Sequence, residues 1–288
     1  MSSDGNDVTQ LAARSWLFTP ATRSERFPNA AAAGADVLIV DLEDSVAPSD
    51  KAGARTTAID FVPRMTWRAG AAAPSVTCAL RVNPVDSVHG LADLQALIGS
   101  EADPNYLVLP KVDTPGHVQI LDRLLSDAGK QARLIAQIES ARGLSQAEGI
   151  ALSSPRLAGL MFGTADMAAD LGADLSWNSL LFARSRLIAA AALRGLLAID
   201  APFFALKDVP RLVQETANAV ALGFSGKCAI HPNQVAVINA TMVPSVSEIS
   251  HARAVLKENT KGVGVVNGIM VDEAVARRAR RILARARP

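Results

Sequence analysis

Eight short apolar runs end in polar side chains that could do chemistry: Arg23 after WLFTPAT, Glu43 and Asp44 after VLIVDL, Arg81 after TCAL, Lys111 after YLVLP, Glu139 in LIAQIES, Asp166 in LAGLMFGTAD, Asp200 after LLAI and His231 after GKCAI. An acid closing an apolar strand is costly to bury unless a cation or a catalytic task holds it. Glu139 and Asp166, on successive runs, are therefore the first candidates. Two such acids can converge on one hard cation, and Mg²⁺ takes one or two carboxylates while water and substrate fill its other positions. The competing reading is structural, each acid capping the next helix or pairing with a base such as Arg142. Glu43 and Asp44 could hold metal-bound waters or orient a basic residue such as Lys51. Arg81 could take a carboxylate in its planar fork, neutralise Glu43, Asp44 or Glu139, or do both. Lys111 could form a Schiff base with a carbonyl substrate, or a structural ion pair. His231, followed by Pro232, reads as a structural histidine.

These residues need a scaffold that brings eight strand ends together. Short Val/Ile/Leu runs alternate with Ala-rich segments of helical period, the pattern of βα units. The strands are predicted near 16–19, 37–42, 77–82, 106–109, 133–138, 157–162, 196–199 and 226–230. The helices are predicted near 25–33, 51–62, 91–98, 115–128, 143–151, 180–194, 209–222 and 232–239. Eight such units match a (β/α)8 TIM barrel, whose chemistry sits at the C-terminal ends of the strands. An open doubly wound sheet would need a Gly-rich phosphate turn after its first strand, and TPATRSER has none. The expected organisation is a flexible tail over 1–13, a barrel over 14–244 and a C-terminal helical extension over 245–288. The extension reads as two helices, 247–259 and 272–286, joined by the Gly-rich KGVGVVNGIMVD without a ninth strand. It could pack on its own barrel or reach a neighbouring subunit.

The 288 residues fit one large domain, and with 49% apolar and 20% charged residues the chain is a well-cored α/β protein rather than a disordered one. A formal net charge of +1 gives no general pull toward nucleic acid or an anionic membrane. The basic run ARRARRILARAR reads as a solvated helix face. Cys78 and Cys228 lie inside apolar strands without metal-ligand spacing, as small buried hydrophobes in a reducing cytoplasm do. The apolar stretch 180–204 is broken by Arg184, Arg186, Arg194 and Asp200, so no membrane span is expected.

Taken in order, RSWLFTPATRSERFPNAAAAGADVLIVDLEDSVAPSDKAGAR, LRVNP, LVLPKV, AQIESARGL, GLMFGTADMAADLG and AIHPNQ resemble the citrate lyase β-subunit-like proteins of the HpcH/HpaI aldolase family, over about residues 14–256. The resemblance implies Mg²⁺ on Glu139 and Asp166, Arg81 gripping the carboxylate of a 2-oxo or 2-hydroxy acid, and a homotrimer or a multiple of trimers. It further implies coenzyme A phosphates near Arg23 and Arg26, and an aspartate, here Asp272 in NGIMVDEA, acting as general acid/base in its own or a neighbouring site. The activity implied is cleavage of a hydroxyacyl-CoA, foremost (S)-citramalyl-CoA to pyruvate and acetyl-CoA. Malyl-CoA cleavage, a CoA-independent aldolase and a citryl thioester lyase subunit working in a complex are the alternatives. Ala165, where relatives often carry an acidic or amide residue, and the linker 64–75 depart from the pattern.

Overall fold

The computed structural model describes residues 13–66, 76–260 and 262–286. All but the last residue of the expected N-terminal tail, and residues 67–75 of the linker, lie outside the described residues. Eight parallel strands close into a barrel: β1 (Ser15–Pro20), β2 (Val37–Asp41), β3 (Thr77–Arg81), β4 (Tyr106–Leu109), β5 (Arg133–Ile138), β6 (Leu157–Phe162), β7 (Leu197–Asp200) and β8 (Gly226–Ala229). Closure is made by β1, which pairs with β2 on one side and β8 on the other. The expected barrel is thus the observed one. The apolar runs locate its strands so well because strands buried on both faces read as continuous hydrophobic segments.

Strand parity divides the core in two. Val37, Ile39, Ala79, Val108, Ile135, Ile199 and Cys228 fill the barrel interior around Trp16. Their neighbours Leu38, Val40, Cys78, Leu80, Leu107 and Leu134 face the helices outside. Extending the inward register upward places Asp41, Arg81 and Gln137 in the mouth, because successive side chains alternate faces. The same alternation turns Asp200 and Lys227 outward, away from the mouth.

The surrounding helices are α1 (Phe27–Ala32), α2 (Lys51–Thr66), α3 (Val88–Ile98), α4 (Pro115–Asp127), α5 (Ala141–Ser145), α6 (Ala147–Ala151), α7 (Thr164–Leu171), α8 (Leu181–Ala192), α9 (Val209–Leu222) and α10 (Pro232–Met242). Local chemistry sets their ends. The Asp208 carboxylate accepts from the Arg211 N–H at the start of α9, and Gly223, with φ 119°, closes it in the left-handed region. Three details correct the expectation. The first helix is short and preceded by a 3-10 turn, Ala21–Arg26; the helix expected over 143–151 is two pieces that break at Gln146; and α7 was not anticipated. Among the described residues no helix is long and apolar enough to cross a membrane.

After α10 come α11 (Val246–Asn259), β9 (Gly264–Val266), β10 (Ile269–Val271) and α12 (Glu273–Arg285). The expectation of no further strand is corrected here: β9 and β10 form an antiparallel hairpin. Its two-residue turn, Asn267 and Gly268, has φ of 51° and 79°, the positive pair that a tight hairpin turn requires and that Asn-Gly supplies. Ala252, Val255, Val266, Val271 and Ala279 give this extension a small core separate from those of the barrel.

Candidate active site

The C-terminal mouth of the barrel opens into a cavity of about 410 Å³. Its charged side carries Asp41, Asp44, Arg81, Glu139 and Asp166; its apolar side carries Phe18, Met161, Pro202, Phe204, Cys228 and Ile230. Strands β2, β3 and β5 and the start of α7 supply the first group. Strand β6, the ends of β1 and β8, and the segment after β7 supply the second.

Arg81 is the centre of the charged side. Its Nε donates to Asp41 Oδ1 at 2.6 Å and its Nη2 to Asp41 Oδ2 at 2.8 Å, while Nη1 lies 3.0 Å from Glu43 Oε2. Asp41 and Arg81 are direct register partners on β2 and β3, so the barrel itself aligns the fork with the carboxylate. Burial alone would raise the Asp41 carboxyl, but the charge and hydrogen bonds of Arg81 outweigh it and hold the group below the usual carboxylate range. Burial acts against the Arg81 cation too, and is overcome by Asp41, Glu43 and Glu139, which raise its pKa further. The guanidinium also stacks over the Phe18 ring, 4.6 Å from its centroid.

Lys111 answers the remaining acids. Its Nζ binds Glu43 Oε1 and lies 3.2 Å from Asp44 Oδ1, and its backbone N–H donates to Glu139 Oε1 at 2.8 Å. The residue has φ 52°, an uncommon conformation for a side chain other than glycine, held here by contacts at both ends. Burial would lower the ammonium pKa, but Glu43 and Asp44 prevail and hold it above its ordinary value. A lysine kept protonated is a poor carbonyl nucleophile, so of the two sequence readings the structure favours the ion pair over the Schiff base.

Glu139 is 2% exposed, with Oε1 on the Lys111 N–H and Oε2 accepting from the Gln137 amide. Burial, then the like charges of Asp166 and Glu43, push its carboxyl up to about 8. Glycine is required at 163, since a Cβ there would come within 2.2 Å of Glu139 Oε2. Glu139 does not cap the next helix; Ser140 does, its Oγ accepting from the Gly143 N–H. Asp166 sits in the first turn of α7 and lines the cavity. The two acids therefore reach one cavity, with like-charge repulsion between them that a cation would relieve. Among the described residues no group of three or more His, Cys, Asp or Glu could hold a metal ion. A hard divalent ion that takes only two carboxylates and fills its shell with water and substrate suits this donor set.

Other strand-end residues go elsewhere. Asp200 is fully buried beside the Arg184 Nε at 2.9 Å and the Lys227 Nζ at 2.6 Å, outside the cavity; it is a structural acid, and its place among the functional-looking ends is corrected. His231 Nδ1 accepts from the Asn233 N–H and caps α10. Lys51 donates to the backbone carbonyls of Leu42 and Glu43 and to Asn83 Oδ1, so it anchors the strand end and does not pair with the Glu43 or Asp44 carboxylates as anticipated. Arg23 and Arg26 stand exposed on the 3-10 turn after β1, each about 4 Å from the Glu25 carboxylate. Asp272 caps α12, its Oδ1 accepting from the Val275 N–H, and does not line the cavity of its own barrel. Asp41 and Gln137 escaped the strand-end pattern. Counting back two residues from Glu43 and from Glu139 along the inward face would have found both.

Comparison with known proteins agrees with this geometry. Residues 14–232 match the HpcH/HpaI aldolase/citrate lyase family, and residues 186–288 match the family of carbon–carbon bond lyases of the TIM-barrel fold. The citrate lyase subunit beta of Escherichia coli K12 is 34% identical, over 95% of this chain and 93% of that one. The L-malyl-CoA/beta-methylmalyl-CoA lyase of Cereibacter sphaeroides is 32% identical, over 95% and 94%. Among solved structures, RipC from Yersinia pestis is 48% identical with a TM-score of 0.73, covering 83% of this chain and 99% of that one. CitE from Mycobacterium tuberculosis, in complex with magnesium, acetoacetate and coenzyme A, is 34% identical with a TM-score of 0.79, over 96% and 99%. The chain belongs to the HpcH/HpaI aldolase/citrate lyase family and is a carbon–carbon lyase.

Proposed function

We propose that this lyase cleaves (S)-citramalyl-CoA to pyruvate and acetyl-CoA. The observation that carries the reading is the two-sided cavity, which offers an arginine fork and a pair of mutually repelling acids opposite an apolar wall. Glu139 and Asp166 are the residues that would hold Mg²⁺. When bound there, the ion supplies Lewis acidity to the oxygens of the hydroxy acid.

Arg81 binds the substrate carboxylate. Asp41 takes the Nε N–H and one N–H of Nη2, while Glu43 lies beside Nη1 as an ion pair, which leaves N–H groups on both terminal nitrogens for a bidentate contact. Glu43, with Asp41, keeps the fork aimed, and Asp44 stands at the cavity wall with its charge shared by Lys111. In the cleavage direction the bond between the carbinol carbon and the thioester methylene breaks. Its electron pair moves into the thioester as an enolate, the hydroxyl loses its proton, and the methylene must gain one.

Asp272 of a neighbouring copy is the acid/base assigned to that proton, in a homotrimer or a multiple of one. Two features support this. The extension 245–288 has its own core, and Val263, Val265, Ile269 and Met270 on its hairpin are exposed, an apolar face that a second copy would cover. Arg23 and Arg26, on the 3-10 turn after β1, are the residues assigned to the coenzyme phosphates. Two free buried cysteines suit a reducing cytoplasm.

The test is release of pyruvate from citramalyl-CoA and of glyoxylate from malyl-CoA by the purified chain, with Mg²⁺ and with EDTA. Mg²⁺-dependent pyruvate release is expected. Dominant glyoxylate release moves the assignment to malyl-CoA, and turnover of free hydroxy-oxo acids moves it to a CoA-independent aldolase. A requirement for partner proteins moves it to a citryl thioester lyase subunit. The role of Asp272 is tested by mixing two inactive variants, Arg81→Met and Asp272→Asn. Mixed oligomers should regain part of the wild-type rate, since some sites then combine an intact Arg81 with an intact Asp272. No recovery in demonstrably mixed oligomers would place Asp272 in its own site or outside catalysis.

A further inference from the structure

The two sides of the cavity differ in depth as well as polarity. Phe204 and Ile230 are 47% and 38% exposed and stand at the mouth, whereas Met161 and Cys228 are each 1% exposed and form the floor. Both floor residues belong to the barrel's interior cluster, against which Phe18 packs. The floor is therefore the top layer of a close-packed barrel core, in which side chains from different strands share a fixed volume. Cys228 is the smallest of these three side chains and lines the cavity, so it takes up the least of the space in the layer. Phe18, on the strand paired with β8, carries Arg81 stacked on its ring. The space therefore adjoins the carboxylate-binding fork.

A second observation at the same floor points to a ligand. Gln137 is 6% exposed, lines the cavity, and is the register partner of Met161. Its Nε2 is committed to Glu139, and its Oε1 has no hydrogen-bond partner. A buried acceptor left unpaired is costly, so a donor such as a substrate hydroxyl belongs beside it.

A tetrahedral carbinol carbon has four substituents to place, and three are already assigned. The carboxylate goes to Arg81, the hydroxyl to the Glu139 and Gln137 side, and the methylene thioester out through the mouth, because the coenzyme cannot fit inside about 410 Å³. We propose that the fourth substituent points down onto Met161 and Cys228, and that Cys228 is the specificity-determining residue that admits a methyl group there. This rests on the hydroxyacyl-CoA lyase reading above.

The experiment compares kcat/KM for citramalyl-CoA and malyl-CoA in the wild type, Cys228→Leu and the milder Cys228→Val. Adding carbon above the floor should lower the citramalyl-to-malyl ratio by roughly 10-fold or more in Cys228→Leu, and in the same direction by less in Cys228→Val. If Cys228→Leu does not fold, Cys228→Val alone must still lower the ratio. A ratio within about threefold of wild type in the folded variants, against the 10-fold or more that a methyl contact is worth, overturns the assignment to Cys228 and leaves the lyase reading standing. Absence of turnover with both thioesters in the wild type overturns both.

Discussion

Replacing Arg81 should damage the protein more than any other single substitution at the mouth. Arg81→Met leaves Asp41 and Glu43, 1% and 2% exposed, without their main counter-charge. Removing one partner of a buried pair costs about 3–5 kcal/mol, which for a chain of this size lowers Tm by roughly 10 °C. Turnover should fall below detection. The informative comparison is Arg81→Lys, which keeps the charge but cannot span Asp41 and Glu43 while offering two parallel N–H groups to a substrate carboxylate. Loss of about 3 kcal/mol of charged hydrogen bonding corresponds to a drop in kcat/KM of roughly 100-fold. Thermal melts and steady-state kinetics on the two variants check both figures. An Arg81→Lys enzyme with wild-type kcat/KM would remove the fork from the mechanism.

The second large effect concerns Glu139 and pH. Its carboxyl is pushed up to about 8 in the metal-free protein, first by burial and then by Asp166 and Glu43, against 4.5 for an ordinary glutamate. The folded state therefore holds a proton that the unfolded chain has released between those values. Stability of the metal-free protein should be greatest below about pH 4.5 as far as this group is concerned, fall as pH rises toward 8, and level off above. On the proposed assignment of Mg²⁺ to Glu139 and Asp166, metal binding runs the other way, because a cation must displace that proton. Apparent Mg²⁺ affinity should climb about 10-fold per pH unit up to about pH 8 and then flatten. Glu139→Gln should abolish the slope and weaken Mg²⁺ by at least the roughly 100-fold that loss of an outer-shell partner can cost. Titration of Mg²⁺ by calorimetry at pH 6.5, 7.5 and 8.5 provides the check. A flat wild-type affinity across that range would mean that Glu139 is already ionised and does not gate the metal.

The strands were legible because burial on both faces writes them as unbroken apolar runs, and each run announces where its polar end will lie. Which end residues look into the mouth was legible too, but only through parity. Asp41 and Gln137 share the inward face with Glu43 and Glu139, while Asp200 is one residue out of step with Ile199 and turns away. The hairpin was missed, although its Asn-Gly pair lies between apolar residues and is a local signal that could have been read. The ion pairs were not legible. Arg81 meets Asp41 across forty residues, and Lys111 meets Glu43 across sixty-eight, through a barrel register that no local pattern encodes. The left-handed backbone of Lys111 is of the same kind: nothing in the residue type asks for it, and only the two contacts it joins explain it. Asp272 could be matched by its motif, but its position capping a helix in a separately cored extension comes from tertiary structure alone.

The division of the mouth also governs how the enzyme can change. Charge handling sits on β2, β3, the end of β4, β5 and the start of α7, whereas the apolar wall comes from β6, β8, the end of β1 and the segment after β7. Substitutions in well-separated sets with no shared partner combine almost additively. A lineage can therefore reshape what the wall accepts while the ionic half continues its work undisturbed. The exception is Phe18, which belongs to the wall and carries the Arg81 guanidinium on its ring. There, drift in substrate size would be felt as a change in electrostatics.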